Sequence, residues 1–300
     1  MNVIEVTDLV KQYKETTAVK GISFSVAEGE LFSFLGENGA GKSTTINMLC
    51  TILEKTSGSA QICGHQLGEE DDAIRSKIGI VFQNSVLDQK LTVKENLYSR
   101  GSYYGLSKKE IGKRLEPFAE EFEMQDIWNR KYEKLSGGQR RRVDIMRALI
   151  HQPKILFLDE PTTGLDPKSR KIVWDYIHYL QKQQGMTIFL TTHYMEETRD
   201  ADQVVILDKG EIVCSGTPAQ LKSTYTSSKL IWYTEKKEGA EEVIRSISSR
   251  FTYDADHYTI CVKDTPTDFL YRNRDKILDY ELIKGTMDDV FLNLTGKELA

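Results

Sequence analysis

The segment Gly36-Glu37-Asn38-Gly39-Ala40-Gly41-Lys42-Ser43 constrains this chain more than any other stretch, because few backbone geometries suit three glycines followed by Lys-Ser. It fits G-x-x-x-x-G-K-[ST] and lies between an apolar, strand-like run at 31–35 and a helical stretch. The glycines let the backbone curl until several N–H groups face one point, an anion nest at the start of a helix. From there Lys42 can reach the β- and γ-phosphates of a nucleoside triphosphate, and the Ser43 hydroxyl can ligate Mg²⁺. An accidental match occurs in about one chain of this length in a hundred, and the strand-loop-helix setting lowers that further.

Such a loop belongs at the carboxyl end of a parallel strand, and the first 215 or so residues supply the rest of that sheet. Apolar runs at 31–35, 78–82, 155–158, 187–191 and 204–207 alternate with helical stretches, as in an α/β sheet covered on both faces. Residues 3–6 and 22–26 read as an antiparallel lead-in. Across about 88–152 the strand signal vanishes, which predicts an all-helical insertion. There Ile111, Leu115, Phe118 and Phe122 recur at helical spacing and Thr92 caps an earlier helix. Pro117 is expected to kink or interrupt the helix that contains it. Beyond Pro218, the Ser/Thr-rich stretch 223–228 reads as a linker. Strands at 230–234, 258–262 and 278–283 around a helix near 240–247 then predict a small α/β appendage without a chemical motif. The expected division is a nucleotide-binding domain at 1–222 and an accessory domain at 228–300.

Two further motifs complete the chemistry. The run Ile155-Leu156-Phe157-Leu158-Asp159-Glu160 is an apolar strand ending in two carboxylates. A strand inside a parallel sheet cannot hide two acids, so they emerge at its carboxyl end, where such sheets bind ligands. Asp159 is placed to hold the magnesium shell and Glu160 to polarise the attacking water. Leu135-Ser136-Gly137-Gly138-Gln139 precedes a basic helical run through Arg140, Arg141 and Arg142. Ser136 reads as a helix N-cap, and the two glycines leave bare amides pointing outward, a second anion site. A plain capped helix explains Ser136 but not Gly137 and Gly138, each of which costs about 1 kcal/mol of helix stability.

Composition narrows the class. The 300 residues are 39% hydrophobic and 28% charged, an ordinary globular balance, and the formal net charge of -5 gives no overall basic surface for nucleic acid. The four cysteines, Cys50, Cys63, Cys214 and Cys261, have no zinc-ligand spacing and read as small buried hydrophobes in a reducing compartment. The N-terminus lacks a signal-peptide plan, and no apolar run approaches the ~18 residues of a membrane span. A cytoplasmic chain is expected.

Together the three motifs, in this order, resemble the Walker A (Gly36 through Ser43 and on to Thr44), signature (Leu135 to Gln139) and Walker B (Ile155 to Glu160) motifs of ATP-binding cassette (ABC) proteins, over about 220 of the 300 residues. The resemblance implies a P-loop NTPase core that binds ATP with Mg²⁺. It implies that Gln83 is the Q-loop glutamine touching magnesium and the attacking water, and that His193 is the switch histidine at the γ-phosphate. Gly164-Leu165-Asp166 resembles the D-loop at a dimer interface, and Tyr13 the aromatic residue that stacks on adenine. Each has a plainer rival in ordinary packing or surface placement. Glu37 departs from the proline common in drug-exporter relatives. Because backbone amides and Lys42 hold the phosphates, this side chain can point into solvent.

In this family Ser136, Gly137, Gly138 and Gln139 complete the site of a partner domain, so two copies are expected head to tail around two ATP molecules. The stretches 91–97, 191–197 and 288–296 are similar to those of multidrug and antibiotic-resistance ATPases. The implied role is to power export of a drug, antibiotic, lipid or similar substrate through separate membrane permease subunits, from the inner face of the cell membrane. An importer subunit, or a soluble ABC ATPase acting on ribosome or nucleic acid, is the alternative. A single cassette without sustained heptads argues against the latter.

Overall fold

Alternation of apolar and polar residues makes the first two strands one-faced: in β1 (Asn2–Tyr13) and β2 (Thr16–Ala27), Ile4, Val6, Leu9, Val19, Ile22 and Val26 are buried. They pair antiparallel in a computed structural model that describes residues 1–262 and 266–296. The expected accessory domain includes 263–265 and 297–300, which lie outside the described residues. The chain divides into two compact units, Met1–Ser215 and Gly216–Ala300.

In the first unit β3 (Leu31–Leu35) leads to α1 (Lys42–Leu49), β4 (Ser57–Ile62), β5 (His65–Gln66), α2 (Asp71–Lys77) and β6 (Ile78–Val81). Then come α3 (Val93–Ser102), α4 (Lys108–Glu121), α5 (Gly137–Leu149), β7 (Ile155–Asp159), α6 (Pro167–Lys182), β8 (Thr187–Thr192), β9 (Gln203–Asp208) and β10 (Glu211–Gly216). A four-stranded sheet, β2-β1-β4-β5, lies against a six-stranded sheet in the order β10-β9-β3-β8-β7-β6. The pairs from β6 through β7, β8 and β3 to β9 are parallel, as the buried apolar runs predict.

Register in the larger sheet sets up the rest. Ile80, Phe157, Phe189 and Phe32 fall in one transverse row. The Phe157 and Phe189 rings are 5.3 Å apart and those of Phe189 and Phe32 5.0 Å. Phe24 of β2 closes on Phe32 at 5.4 Å and joins the two sheets. Aromatic pairs of this kind add about 0.5–1.5 kcal/mol beyond their buried area. Two residues further along, Thr191 lies opposite both Asp159 and Phe34, and one residue beyond that Leu35 lies opposite Thr192. The strands therefore end along one edge, and the loops after β3, β6, β7 and β8 leave it together.

The helical insertion is helix and turn, with one isolated antiparallel bridge between Thr92 and Lys131. Its three helices begin with reciprocal capping boxes, Thr92 with Glu95, Ser107 with Glu110 and Ser136 with Gln139. Pro117 does not interrupt α4, contrary to the sequence expectation. It lies on the solvent face beside exposed Lys113, so the carbonyl that loses its donor stays in water while Ile111 and Leu115 bury the other side.

The second unit comprises α7 (Pro218–Tyr225), β11 (Ser228–Tyr233), α8 (Glu238–Arg245), β12 (Phe251–Asp254), β13 (His257–Val262), α9 (Thr267–Arg272), β14 (Tyr280–Ile283) and α10 (Met287–Thr295). Its sheet runs β12-β13-β11-β14, antiparallel throughout, over a core of Leu230, Trp232, Ile244, Tyr258, Ile260 and Ile277. The stretch 223–228 is not a free linker: Thr217 caps α7, which runs to Tyr225, and Ser228 opens β11. Strand β14 starts only at Tyr280, leaving Leu278 exposed. Four cysteines are free thiols: Cys50 and Cys214 are buried, whereas Cys63 and Cys261 are only partly so.

Phe189→Ala opens a cavity in the aromatic row and is expected to cost about 3–5 kcal/mol, read as a lower denaturant midpoint at unchanged slope. Gly138 is packed so closely that a β-carbon there would lie 2.6 Å from Ser169 Oγ and 2.8 Å from its Cβ. Alanine favours a helix by up to about 1 kcal/mol over glycine, so a net loss of about 1–3 kcal/mol in Gly138→Ala isolates the steric term. Adding Ser169→Gly should recover part of that loss in thermal unfolding.

Candidate active site

Glycine is required where β3 hands the chain to α1. A β-carbon on Gly36 would lie 2.4 Å from the Leu207 carbonyl oxygen, and one on Gly41 2.7 Å from that of Ala18. Gly39 and Gly41 also take left-handed backbone, with φ of 84° and 107°. The Gly36 N–H donates to the Thr192 carbonyl at 3.2 Å, which anchors the loop to β8. No side chain caps α1 at Gly41, so its first-turn amides have no acceptor within the helix and form the expected nest.

Lys42 is buried against this loop. Its ammonium donates to the carbonyls of Gly36 at 2.6 Å and Glu37 at 3.0 Å, and it lies 3.4 Å from Glu160 Oε1. Burial pulls its pKa down, and the charge of Glu160 opposes that. The side chain of Glu37 is half-buried rather than turned fully to solvent. Asn38 and Gly39 are exposed, the Ala40 N–H donates to the Glu37 carbonyl at 3.1 Å, and Thr44 is half-buried.

Asp159 ends β7 and accepts from Thr191 Oγ1 at 2.6 Å and from Ser43 Oγ at 3.1 Å. Glu160 follows with a left-handed φ of 47°, a conformation that costs a non-glycine residue about 1–3 kcal/mol. Its N–H is held by both the carbonyl and the hydroxyl of Thr191, at 3.2 and 3.1 Å. The turn aims its carboxylate across the strand ends. Glu160 Oε2 accepts from Gln83 Nε2 at 3.1 Å and Thr163 Oγ1 at 3.2 Å. His193 Nδ1 lies 3.3 Å from the same oxygen but without hydrogen-bond alignment. Burial alone would raise the Glu160 pKa; Lys42, His193 and Thr163 outweigh it and hold the carboxyl below its ordinary value. A buried base kept ionised, facing an ammonium and an imidazole, is an arrangement suited to activating water beside a phosphate.

The structure thus brings Lys42, Ser43, Gln83, Asp159, Glu160 and His193 to one place. The glycine loop, residues 36–41, and Thr44 surround Lys42 at the same place, whereas the other sequence candidates lie elsewhere. Ser136 and Gln139 engage each other: Gln139 N–H donates to Ser136 Oγ at 3.3 Å, and Ser136 N–H to Gln139 Oε1 at 3.0 Å. Gly137 and Gly138 have a packing reason inside the chain, since a β-carbon on Gly137 would sit 3.0 Å from Leu165 Cδ2, much as one on Gly138 would strike Ser169. Asp166 is the N-cap of α6, accepting from the N–H and hydroxyl of Ser169 at 3.0 and 2.6 Å, and these bonds lower its pKa. Tyr13 is 45% exposed at the end of β1, with the Lys11 ammonium 5.1 Å from its ring centre.

Sequence reading missed Thr191, Thr163 and Arg141. The signal for Thr191 was the pair of threonines, Thr191 and Thr192, that closes the apolar run Ile188–Leu190 just before His193. Arg141, read as part of a basic run, is instead nearly buried and donates to the carbonyls of Phe82 at 2.6 Å and Gln83 at 3.1 Å. Among the described residues no group of three or more His, Cys, Asp or Glu side chains could hold a metal. A hydroxyl and a single carboxylate, Ser43 and Asp159, do suit magnesium, which takes few protein ligands and completes its shell with phosphate oxygens and water.

Comparison with known proteins places the whole chain in a family. Residues 19–163 match the family model described as "ABC transporter". The daunorubicin/doxorubicin resistance ATP-binding protein DrrA of Streptomyces peucetius is 36% identical over 98% of this chain and 92% of its own length. The linearmycin resistance ATP-binding protein LnrL of Bacillus subtilis is 35% identical over 99% of both chains. Nod factor export ATP-binding protein I of Ralstonia nicotianae is 34% identical over 99% of this chain and 95% of that one. Among solved structures, a dimeric ATP-binding cassette in a post-hydrolysis state with ADP and Pi superposes with a TM-score of 0.65 at 30% identity, covering 71% of this chain and 98% of that one. CbiO1 of Clostridium perfringens, part of an ABC transporter complex, gives a TM-score of 0.69 at 28% identity, covering 82% and 94%. With the phosphate nest, the ionised Glu160 and near full-length similarity in agreement, this chain belongs to the ABC transporter family as an ATP-hydrolysing subunit.

Proposed function

We propose that this chain is the ATPase subunit of an exporter, in which two cassettes close over ATP and magnesium and drive separate membrane permease subunits. The observation that carries the reading is the Glu160 carboxylate, held ionised between Lys42, Gln83 and His193 at the mouth of the glycine nest. Export follows from relatives that confer drug or antibiotic resistance or export Nod factor along nearly their whole lengths. Among the described residues no helix is long and apolar enough to cross a membrane, so a spanning path falls to other subunits, with this chain peripheral on the inner face. The accessory role of the second domain belongs to the same proposal.

The chain's residues then divide the work. The glycine-loop amides and Lys42 hold the β- and γ-phosphates, and Tyr13 stacks on the base. Ser43, Asp159 and Gln83 hold magnesium, which when bound neutralises charge on the transferring phosphoryl group. Glu160 accepts the proton of the attacking water, and His193 contacts the γ-phosphate. Ser136, Gly137, Gly138 and Gln139 face the nucleotide of a second copy, with Asp166 at the shared interface. The γ-phosphate joins the halves, and its loss removes the contacts that favour closure.

Glu160→Gln should keep ATP affinity while lowering turnover at least about 100-fold and accumulating ATP-bound dimers in size-exclusion chromatography; rapid turnover would remove Glu160 from this role. Ser136→Arg should spare nucleotide binding and abolish hydrolysis. Lys42→Ala should weaken ATP binding in equilibrium titration. A base whose folded-state pKa is lowered stays ionised below the usual carboxylate range and is lost only as pH falls through that lowered value. The loss of ATPase rate that comes from protonating Glu160 should therefore lie below the ordinary carboxylate range, measured only where circular dichroism still reports folded protein.

A further inference from the structure

Two adjacent acids, Glu196 and Glu197, follow the switch histidine, and the fold separates them. Glu196 is exposed and pairs with Arg170 of α6. Glu197 points inward, 4% exposed, in the short turn Met195–Thr198. Its carboxylate accepts from the hydroxyls of Thr162 and Thr192, the latter at 2.5 Å. Among the described residues no cation pairs with it. Burying a carboxylate on two neutral hydroxyls is costly, so an acid here needs a reason that packing does not supply.

The two threonines supply it. Thr162 lies two residues after Glu160, in the turn that begins with the left-handed backbone of the base. Thr192 directly precedes His193, and its carbonyl anchors the Gly36 N–H of the glycine loop at 3.2 Å. The Thr192 hydroxyl also accepts the Tyr194 N–H at 2.9 Å, which fixes the chain on the far side of His193. One carboxylate therefore spans the segments that carry the base and the histidine.

We infer that Glu197 is a positioning residue for ATP hydrolysis: by tying Thr162 to Thr192 it sets Glu160 and His193 in the mutual register that hydrolysis requires. This rests on the roles proposed above for Glu160 and His193. It predicts a defect mainly in turnover rather than in nucleotide capture, because Lys42 is held by the Gly36 and Glu37 carbonyls, and the loop's own bond to Thr192 uses that residue's carbonyl, not the hydroxyl that Glu197 holds. Small displacements of catalytic groups cost rate more than binding.

The test is steady-state hydrolysis of magnesium ATP by the full chain, with binding of a fluorescent ATP analogue measured in parallel. Glu197→Ala should lower kcat about 10- to 100-fold while analogue affinity and KM change less than about threefold. Glu197→Gln keeps one acceptor and should restore part of the rate. Thr162→Val removes one arm, should lower kcat in the same direction, and should add nothing in the Glu197→Ala background. Unchanged kcat in Glu197→Ala, a fall in kcat matched by an equal loss of affinity, or additive effects in the double variant would each overturn the inference. Should Glu197→Ala not fold, Thr162→Val alone decides: full kcat overturns the inference. Glu160→Gln runs alongside. If that variant turns over normally the functional reading fails; if it is dead while Glu197→Ala is normal, only this inference fails.

Discussion

Parallel register in the six-stranded sheet is the constraint on which the site depends. No loop after β3, β6, β7 or β8 carries a complete set of groups; each contributes one or two. They meet because the row Ile80, Phe157, Phe189 and Phe32 locks the strands side by side, with Phe24 pressing from the second sheet. A slip of one residue in β7 would carry Phe157 to the opposite, equally buried face of the sheet, out of the aromatic row, and take Asp159 away from Thr191. The aromatic packing that stabilises the domain thus also sets the geometry of the candidate site.

The buried charges at the strand ends contribute little net stability, which fits the chemical role proposed for them. Lys42 and Glu160 are both nearly buried, and an isolated ion pair so placed roughly breaks even against desolvation. In the function proposed above, the pair provides an ionised carboxylate beside an ammonium free to transfer its contacts to phosphate oxygens. The left-handed backbone at Glu160 is a further local cost, offset by the two hydrogen bonds from its N–H to Thr191.

Close packing explains residues that the motif alone leaves ambiguous. Gly138 and Gly137 admit the start of α6 and the Leu165 side chain, so α5 begins hard against the segment that Asp166 caps. At the other side of the same helix, Arg141 and Arg147 reach the carbonyls of Ile80, Phe82 and Gln83. Of the basic run, Arg141 alone turns this way and ties the helical insertion to the glutamine that meets Glu160, while Arg140 and Arg142 bond to the Glu133 and Phe122 carbonyls.

Local sequence carried much of this. Glycines at 39 and 41, the apolar strand ending in Asp159 and Glu160, and the Ser136–Gln139 cap each express a short-range rule: backbone freedom, desolvation of a charge, satisfaction of a helix start. So did the strands of the sheet and the helical character of the insertion. Other features were illegible for an equally physical reason. Pro117 is tolerated because solvent reaches the carbonyl it orphans, which depends on which face of α4 is buried. Glu196 and Glu197 are alike as letters, and only the chain's return past Thr162 decides which of them is buried. Motifs record what a residue can do within a few neighbours, whereas partners 30 to 120 positions away, such as Thr191 for Asp159 or Asp159 for Ser43, exist only once the sheet is assembled.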